Sequence, residues 1–147
     1  MFTEQMTQGL AIVGLTPPQS LSPGTDTTIT NIDMSKYRRL LVIIEVGAFG
    51  ASATVDAKLR ESKTSGGTYQ DISGAAITQL TAAGGNNKIA TIELRAGQLD
   101  PGYQFVQLSL TVGTAATQVA AIALGGEAEH KPGNAGNIAG VKQQVVL

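Results

Sequence analysis

The residues able to do chemistry are few and scattered. His130 is the sole histidine of the chain, so any Ser-His-Asp or Cys-His arrangement would have to use it. It lies in EAEHKPGN, which reads as a loop after the last strand-like run, where a solvated side chain is the plain expectation. Zinc ligation needs companion histidines or cysteines, and there is no cysteine at all. Glu127 and Glu129, its acidic neighbours, match no recognised ligand spacing. Asp56, Glu61, Asp71 and Glu93 are the carboxylates that a fold could pair for acid–base or glycosidic work. Asp56 and Glu93 fall on the polar sides of their segments, however, where cross-strand links to Lys58, Arg60 or Arg95 explain them. The glycine clusters SGG and AGGNN do not lead from a strand into a helix, as a phosphate-cradling loop must. No loop carries acidic oxygens at calcium spacing. The expectation is a protein that is not an enzyme, binds no cofactor or metal, and acts through its surfaces.

The elements that would position such surfaces are strands. Eighteen glycines and five prolines punctuate the sequence, and the segments between them alternate with period two. In ATVDAKLRES, Ala53, Val55, Ala57 and Leu59 point one way and Thr54, Asp56, Lys58 and Arg60 the other. IATIELRA and YQFVQLSLTV repeat the logic, with Ile92 and Leu94, then Val106, Leu108, Leu110 and Val112, on the apolar side. KTSGGTY, AAGGNNK and LDPGY supply the glycine, asparagine and proline that tight turns need. Pro17, Pro18 and Pro23 forbid a helix upstream and predict an extended lead-in, then an edge strand through Thr27 to Ile32. DISGAAITQLTAAGG is expected to be a strand or an irregular crossing. About seven or eight short strands in one domain imply two packed sheets, because a single open sheet would leave an apolar face wet. The expected fold is therefore all-β, a β-sandwich with the jelly roll among its forms and with extended N- and C-terminal arms. Within this single domain, residues 1–35 read as arm and edge strand, 36–126 as the sandwich core and 127–147 as a second arm.

Composition bears on partners. Hydrophobic residues make up 42% and charged residues 14%, against a usual charged share of about 25%. A surface this poor in charge is a poor one for a free soluble monomer, so much of it is expected to be covered by other chains. A formal net charge of -1 without a basic stripe argues against nucleic acid. No run reaches the roughly 18 apolar residues of a membrane helix, and the start MFTEQMTQGL is acidic rather than basic, so neither membrane insertion nor a signal peptide is expected.

Two segments exceed what a lone sandwich needs. In YRRLLVIIEVGAFG, Leu40, Val42, Ile44 and Val46 share one face, yet Leu41 and Ile43 make the other face apolar too. In GTAATQVAAIALGG, Ala120, Ile122 and Leu124 alternate with Val119, Ala121 and Ala123, small enough for another backbone to approach. Either these are central strands covered on both sides by the chain itself, or they meet another subunit. The tail EAEHKPGNAGNIAGVKQQVVL has the form of a polar tether with an apolar foot, Val141, Val145, Val146 and Leu147; a frayed terminus is the alternative. Candidate contact residues are that foot, the N-terminal Leu10, Ile12 and Val13, and Leu41, Ile43, Val119, Ala121 and Ala123.

Across residues 36–130 the order of VIIEVG, ATVDAKLRES, GGTYQDI, TAAGGNNK, LDPGYQFVQLSLTV and the small-residue run closing on LGG resembles small virion proteins of tailed bacteriophages. These are described as capsid decoration, cement or head-stabilising proteins. The resemblance implies a sandwich or barrel, a homo-oligomer with a trimer favoured, the major capsid protein as partner, and a place on the capsid surface after synthesis in the host cytoplasm. Some proteins of this kind sit in the neck or tail instead. A carbohydrate-binding adhesin is a further reading, weakened by three tyrosines, three phenylalanines and no tryptophan, since sugar platforms want exposed rings.

Overall fold

Alternation becomes strand after strand in the computed structural model of the chain, which describes residues 3–146. A one-turn helix, α1 (Met6–Gly9), precedes β1 (Leu10–Leu21), β2 (Asp26–Asp33), β3 (Tyr37–Phe49), β4 (Thr54–Ser62) and β5 (Gln70–Ala76). The short β6 (Leu80–Thr81) runs into a second one-turn helix, α2 (Ala82–Gly85), followed by β7 (Lys88–Arg95), β8 (Phe105–Gly113) and β9 (Thr117–Ala128). Positive φ falls at Gly66, Asn87 and Gly102, inside the three turns expected from their residues. DISGAAITQLTAAGG accordingly divides into β5, β6 and α2.

The strands form two antiparallel sheets, β1-β9-β3-β7 and β2-β8-β4-β5, with β6 pairing β4 beside β5. Except from β4 to β5 and β6, the chain changes sheet at each long strand, which is the strand order of a jelly roll. The lead-in is built into both layers from Leu10 onward, since β1 and β2 are edge strands of the two sheets. Pro17 and Pro18 are tolerated in β1 because it is an edge strand and its register with β9 shifts between Thr16 and Gln19. β9 and β3 are the central strands of the first sheet.

Between the layers, Leu40, Val42, Ile44 and Val46 of β3 meet Val106, Leu108, Leu110 and Val112 of β8 in one apolar cluster. β1 and β9 contribute little bulk to it. At Gly14 an added Cβ would lie 2.2 Å from Ile29 Cγ2, so only glycine lets the second sheet come this close. Tyr37 is buried over Gly125, whose added Cβ would fall 2.6 Å from the ring. Burial raises the Tyr37 phenol above its ordinary pKa, and the nearby Asp33 charge adds to the rise.

The corner from β2 to β3 is held by Asp33, whose Oδ1 accepts from Ser35 N (3.0 Å), Ser35 Oγ (2.8 Å) and Gln104 Nε2 (2.8 Å). Burial pushes this carboxyl up, but those hydrogen bonds and Lys36 together bring it below its ordinary value. Its contribution to stability is therefore complete above the unfolded value of about 4 and is lost as pH falls through the lower folded value. We predict a melting temperature that declines on acidification below about pH 4, with a shallower decline in Asp33→Asn. In the core, Leu108→Ala should cost about 2–5 kcal/mol in urea denaturation, whereas an unchanged midpoint would mean that the two layers do not close on this side chain.

Candidate interaction surface

The groups with chemical potential are dispersed and mostly paired with neutralising partners. His130 is exposed, and Glu129 beside it pairs with Arg38 Nε at 2.9 Å, which holds the carboxyl below its ordinary pKa. Asp56 accepts from Gln79 Nε2 at 2.8 Å, not from Lys58 or Arg60. Those two cations converge instead on Asp71, Lys58 at 2.7 Å and Arg60 at 3.1 Å, and the hydrogen bond from Lys58 is the main cause of its lowered pKa. Glu93 lies 3.9 Å from Arg39 rather than against Arg95. Glu61 is buried and accepts from Gln70 Nε2 (2.9 Å) and Asp100 N (3.1 Å), tying β4 to β5 and to the loop before β8. Among the described residues no three histidine or acidic side chains gather where a metal ion could sit, and no helix is long and apolar enough to cross a membrane.

The outer faces of the two sheets differ in kind. On the second sheet Asp26, Lys58, Arg60, Gln107 and Ser109 bind one another or neighbouring groups: Ser109 Oγ donates to Asp26 at 3.0 Å, Arg60 to Gln107 at 3.3 Å and to the Tyr69 carbonyl at 2.6 Å. That face satisfies itself. On the first sheet the registers align outward side chains into apolar rungs, Ile12–Leu124–Leu41 and Leu15–Ile122–Ile43, which end at Glu93 and Thr91 on β7. A third rung, Ala120–Glu45–Ile89, closes the patch. Leu15 is 40% exposed, Ile122 37% and Ile89 63%, and Leu41, Ile43 and Leu124 are half-buried by one another. Arg39, paired with Glu93 and with Glu127 at 3.0 Å, marks the opposite rim.

Leu41 and Ile43 thus lie outward, as their alternation requires. Val119, Ala121 and Ala123 do not: they are buried in the core cluster, and the backbone that approaches them is the chain's own second sheet. Their partners in alternation, Ala120, Ile122 and Leu124, hold the outer face. Val13 is likewise turned toward the core, at a register shift between Ile12 and Gly14, while Ile12 stays on the outer face. Leu10 lies over Gly126, beside the Arg39 rim. Leu15, Ile122, Leu124 and Ile89 were not among the candidates from sequence; the signal that places them together is the cross-strand register.

The C-terminal segment straps the free edge of β1. Asn137 Oδ1 accepts from Ile12 N at 2.8 Å, and Ile138 N donates to Ile12 O at 2.9 Å. A 3-10 turn, Gly133–Gly136, precedes this contact and packs on the Leu10 backbone through Gly133. Val141 is half-buried, and Val145 and Val146 are 72% and 44% exposed. Gln144 Oε1 accepts from Asn134 at 3.1 Å and Asn137 at 3.3 Å, folding the tail back beside the strap. Leu147 lies outside the described residues. Where the prolines of β1 break its register, a groove of about 590 Å³ opens along Gln19, Ser20, Glu45, Asn87, Lys88 and Gln118. Beside it is a notch of about 80 Å³ between Leu15, Pro18, Ile43 and Ile122.

No protein-family model and no curated protein matches the sequence. Among solved structures, the chain is similar to one from the Israeli acute paralysis virus full particle heated to 63 degrees, at 12% identity over 86% of this chain and 73% of that one, with a TM-score of 0.41. It is similar to a chain of the Bacillus endospore appendages, described as disulfide-linked pili, at 13% identity over 88% and 99% with a TM-score of 0.40. It is also similar to the family 11 carbohydrate-binding module of Clostridium thermocellum, solved with a mixed-linked tetrasaccharide, at 14% identity over 88% and 94% with a TM-score of 0.41.

The strap and the tail beyond it should separate in experiment. Asn137→Ala is expected to lower stability by about 1 kcal/mol and to speed hydrogen exchange at the Ile12 amide. Removal of residues 141–147 should change stability by less than about 0.5 kcal/mol; cooperative unfolding at a much lower denaturant concentration would show that the tail belongs to the core.

Proposed function

We propose that the chain is a structural protein of a tailed-bacteriophage particle, a decoration or cement subunit that binds the assembled head. The observation that carries this reading is the contrast between the two outer faces, one polar and self-satisfied, the other an array of unpartnered aliphatic rungs. Large exposed apolar patches mark contact surfaces. An apolar face gains roughly 25 cal/mol for each Å² taken out of water, and a standard interface needs about 800 Å² per partner. Repetition over a symmetric shell multiplies modest contacts through effective concentration. The major capsid protein is the partner this reading requires, and the chain acts by being bound rather than by catalysis. A place in the neck or tail would use the same face and differ only in location.

A second reading is a carbohydrate-binding module. It is favoured by the groove beside the patch, whose walls carry the amides of Gln19, Asn87 and Gln118 with Glu45 and Lys88. The absence of an aromatic ring from that lining works against it.

Co-sedimentation with expanded heads of a phage carrying this sequence tests the first reading. Wild type should pellet with the heads, Ile122→Lys should bind at least about tenfold more weakly with an unchanged melt, and Thr28→Lys on the polar sheet should bind as wild type. Failure of wild type to pellet sinks the virion reading. Binding to a glycan array that is lost in Gln118→Ala would replace it with the second.

A further inference from the structure

On the outer face of the first sheet Glu45 stands without an ion-pair or hydrogen-bond partner among the described residues, and so does Lys142 in the exposed tail. We propose that residues 141–146 of one copy seat on this face of a second copy, with Lys142 against Glu45 and Val146 over the aliphatic rung of Leu41 and Leu124.

Spacing supports the fit. In extended chain Val146 shares a face with Lys142 and lies about 13 Å beyond it, at roughly 3.3 Å per residue. Along β3, by the same rise, Ile43 and Leu41 lie about 7 and 13 Å from Glu45. The tail therefore places its cation and Val146 at the separation of Glu45 and Leu41. Both sides gain, since the exposed Val146 and the half-buried Leu41 and Leu124 leave water together. The seat is on another copy because Gln144 is tied to Asn134 and Asn137 on the outer side of β1, two strands away from Glu45 on β3. Lys88, the other cation of the neighbouring groove, forms no ion pair with Glu45 and leaves that carboxylate open.

Charge exchange on the purified chain tests this. Sedimentation equilibrium of wild type should show mass rising with concentration; Glu45→Lys and Lys142→Glu should each weaken self-association about tenfold, and the double variant should return it to within about twofold of wild type. Both positions are exposed, so the melts should not change. A single-copy mass at every concentration, neutral single variants, or a double variant no better than the singles overturns the proposal. The chain lacks cysteine, so mixing a Leu124→Cys chain with a Val146→Cys chain gives a direct check, since Leu124 is the cross-strand neighbour of Leu41: a disulfide between the two supports docking on a second copy. Closure of a doubly substituted chain on itself, with no link between copies, refutes it. The proposal is independent of the virion reading, because a chain that self-associates yet ignores phage heads keeps the one and loses the other.

Discussion

The close approach of the two sheets under β1 and β9 constrains the rest of the molecule. Bulk in the core comes mainly from β3, β4 and β8, and β9 and β1 face them with several small residues, Ala121, Ala123, Gly125, Ala11 and Gly14, beside Val119 and Leu21. Larger side chains there would push the layers apart, as the 2.2 Å separation between an added Cβ at Gly14 and Ile29 indicates. The consequence for β9 is an inversion of the ordinary surface strand. Its small residues face the core while Ile122 and Leu124 face outward. The ordinary antiparallel strand puts its bulkier aliphatic set on the core side; here Ile122 is 37% exposed on the other.

The outer face of the second sheet is built differently. Its outer polar groups close on one another through Asp71, Asp26, Gln107 and Gln79. Exposed ion pairs of this sort add little stability each, but they neutralise Lys58, Arg60 and Asp71 within the face. In a chain with 14% charged residues, Asp26, Asp56, Lys58, Arg60 and Asp71 close on partners within that face, whereas on the first sheet Arg39, Glu93 and Glu127 border the apolar rungs and Glu45 lies in the third.

Much of this was legible in the sequence. The alternation of β4, β7 and β8 pairs apolar with polar residues, so their inward faces follow at once, and the turns follow from their glycine, asparagine and proline. For β9 the same rule is silent, because both alternating sets are apolar and period two identifies two faces without saying which is buried. Size misled there: small residues do mark close approach, but the approaching backbone belongs to the same chain. The apolar rungs were hidden for another reason. Leu15, Ile122 and Ile43 are far apart in sequence and become neighbours only through the β1-β9 and β3-β9 registers, which two proline- and bulge-bearing shifts in β1 make unreadable in advance. Asn137, whose amide straps Ile12, carries no signature beyond its place in a glycine-rich tail.

Strand edges decide how an apolar sheet can be presented without uncontrolled aggregation. An open edge offers a row of backbone donors and acceptors to any passing strand. Here the β1 edge is interrupted by Pro17 and Pro18 and occupied at Ile12 by Asn137 and Ile138. The β7 edge carries Lys88, Glu93 and Arg95, all exposed, and charges on an edge disfavour pairing with another strand. With both edges of the first sheet guarded and its outer face carrying aliphatic rungs, the edges are disfavoured for strand pairing and the face is the more apolar surface. Contact through a face selects partners by the shape and spacing of side chains, whereas contact through an edge accepts almost any strand. A protein that must join one surface and no other gains its selectivity from that difference.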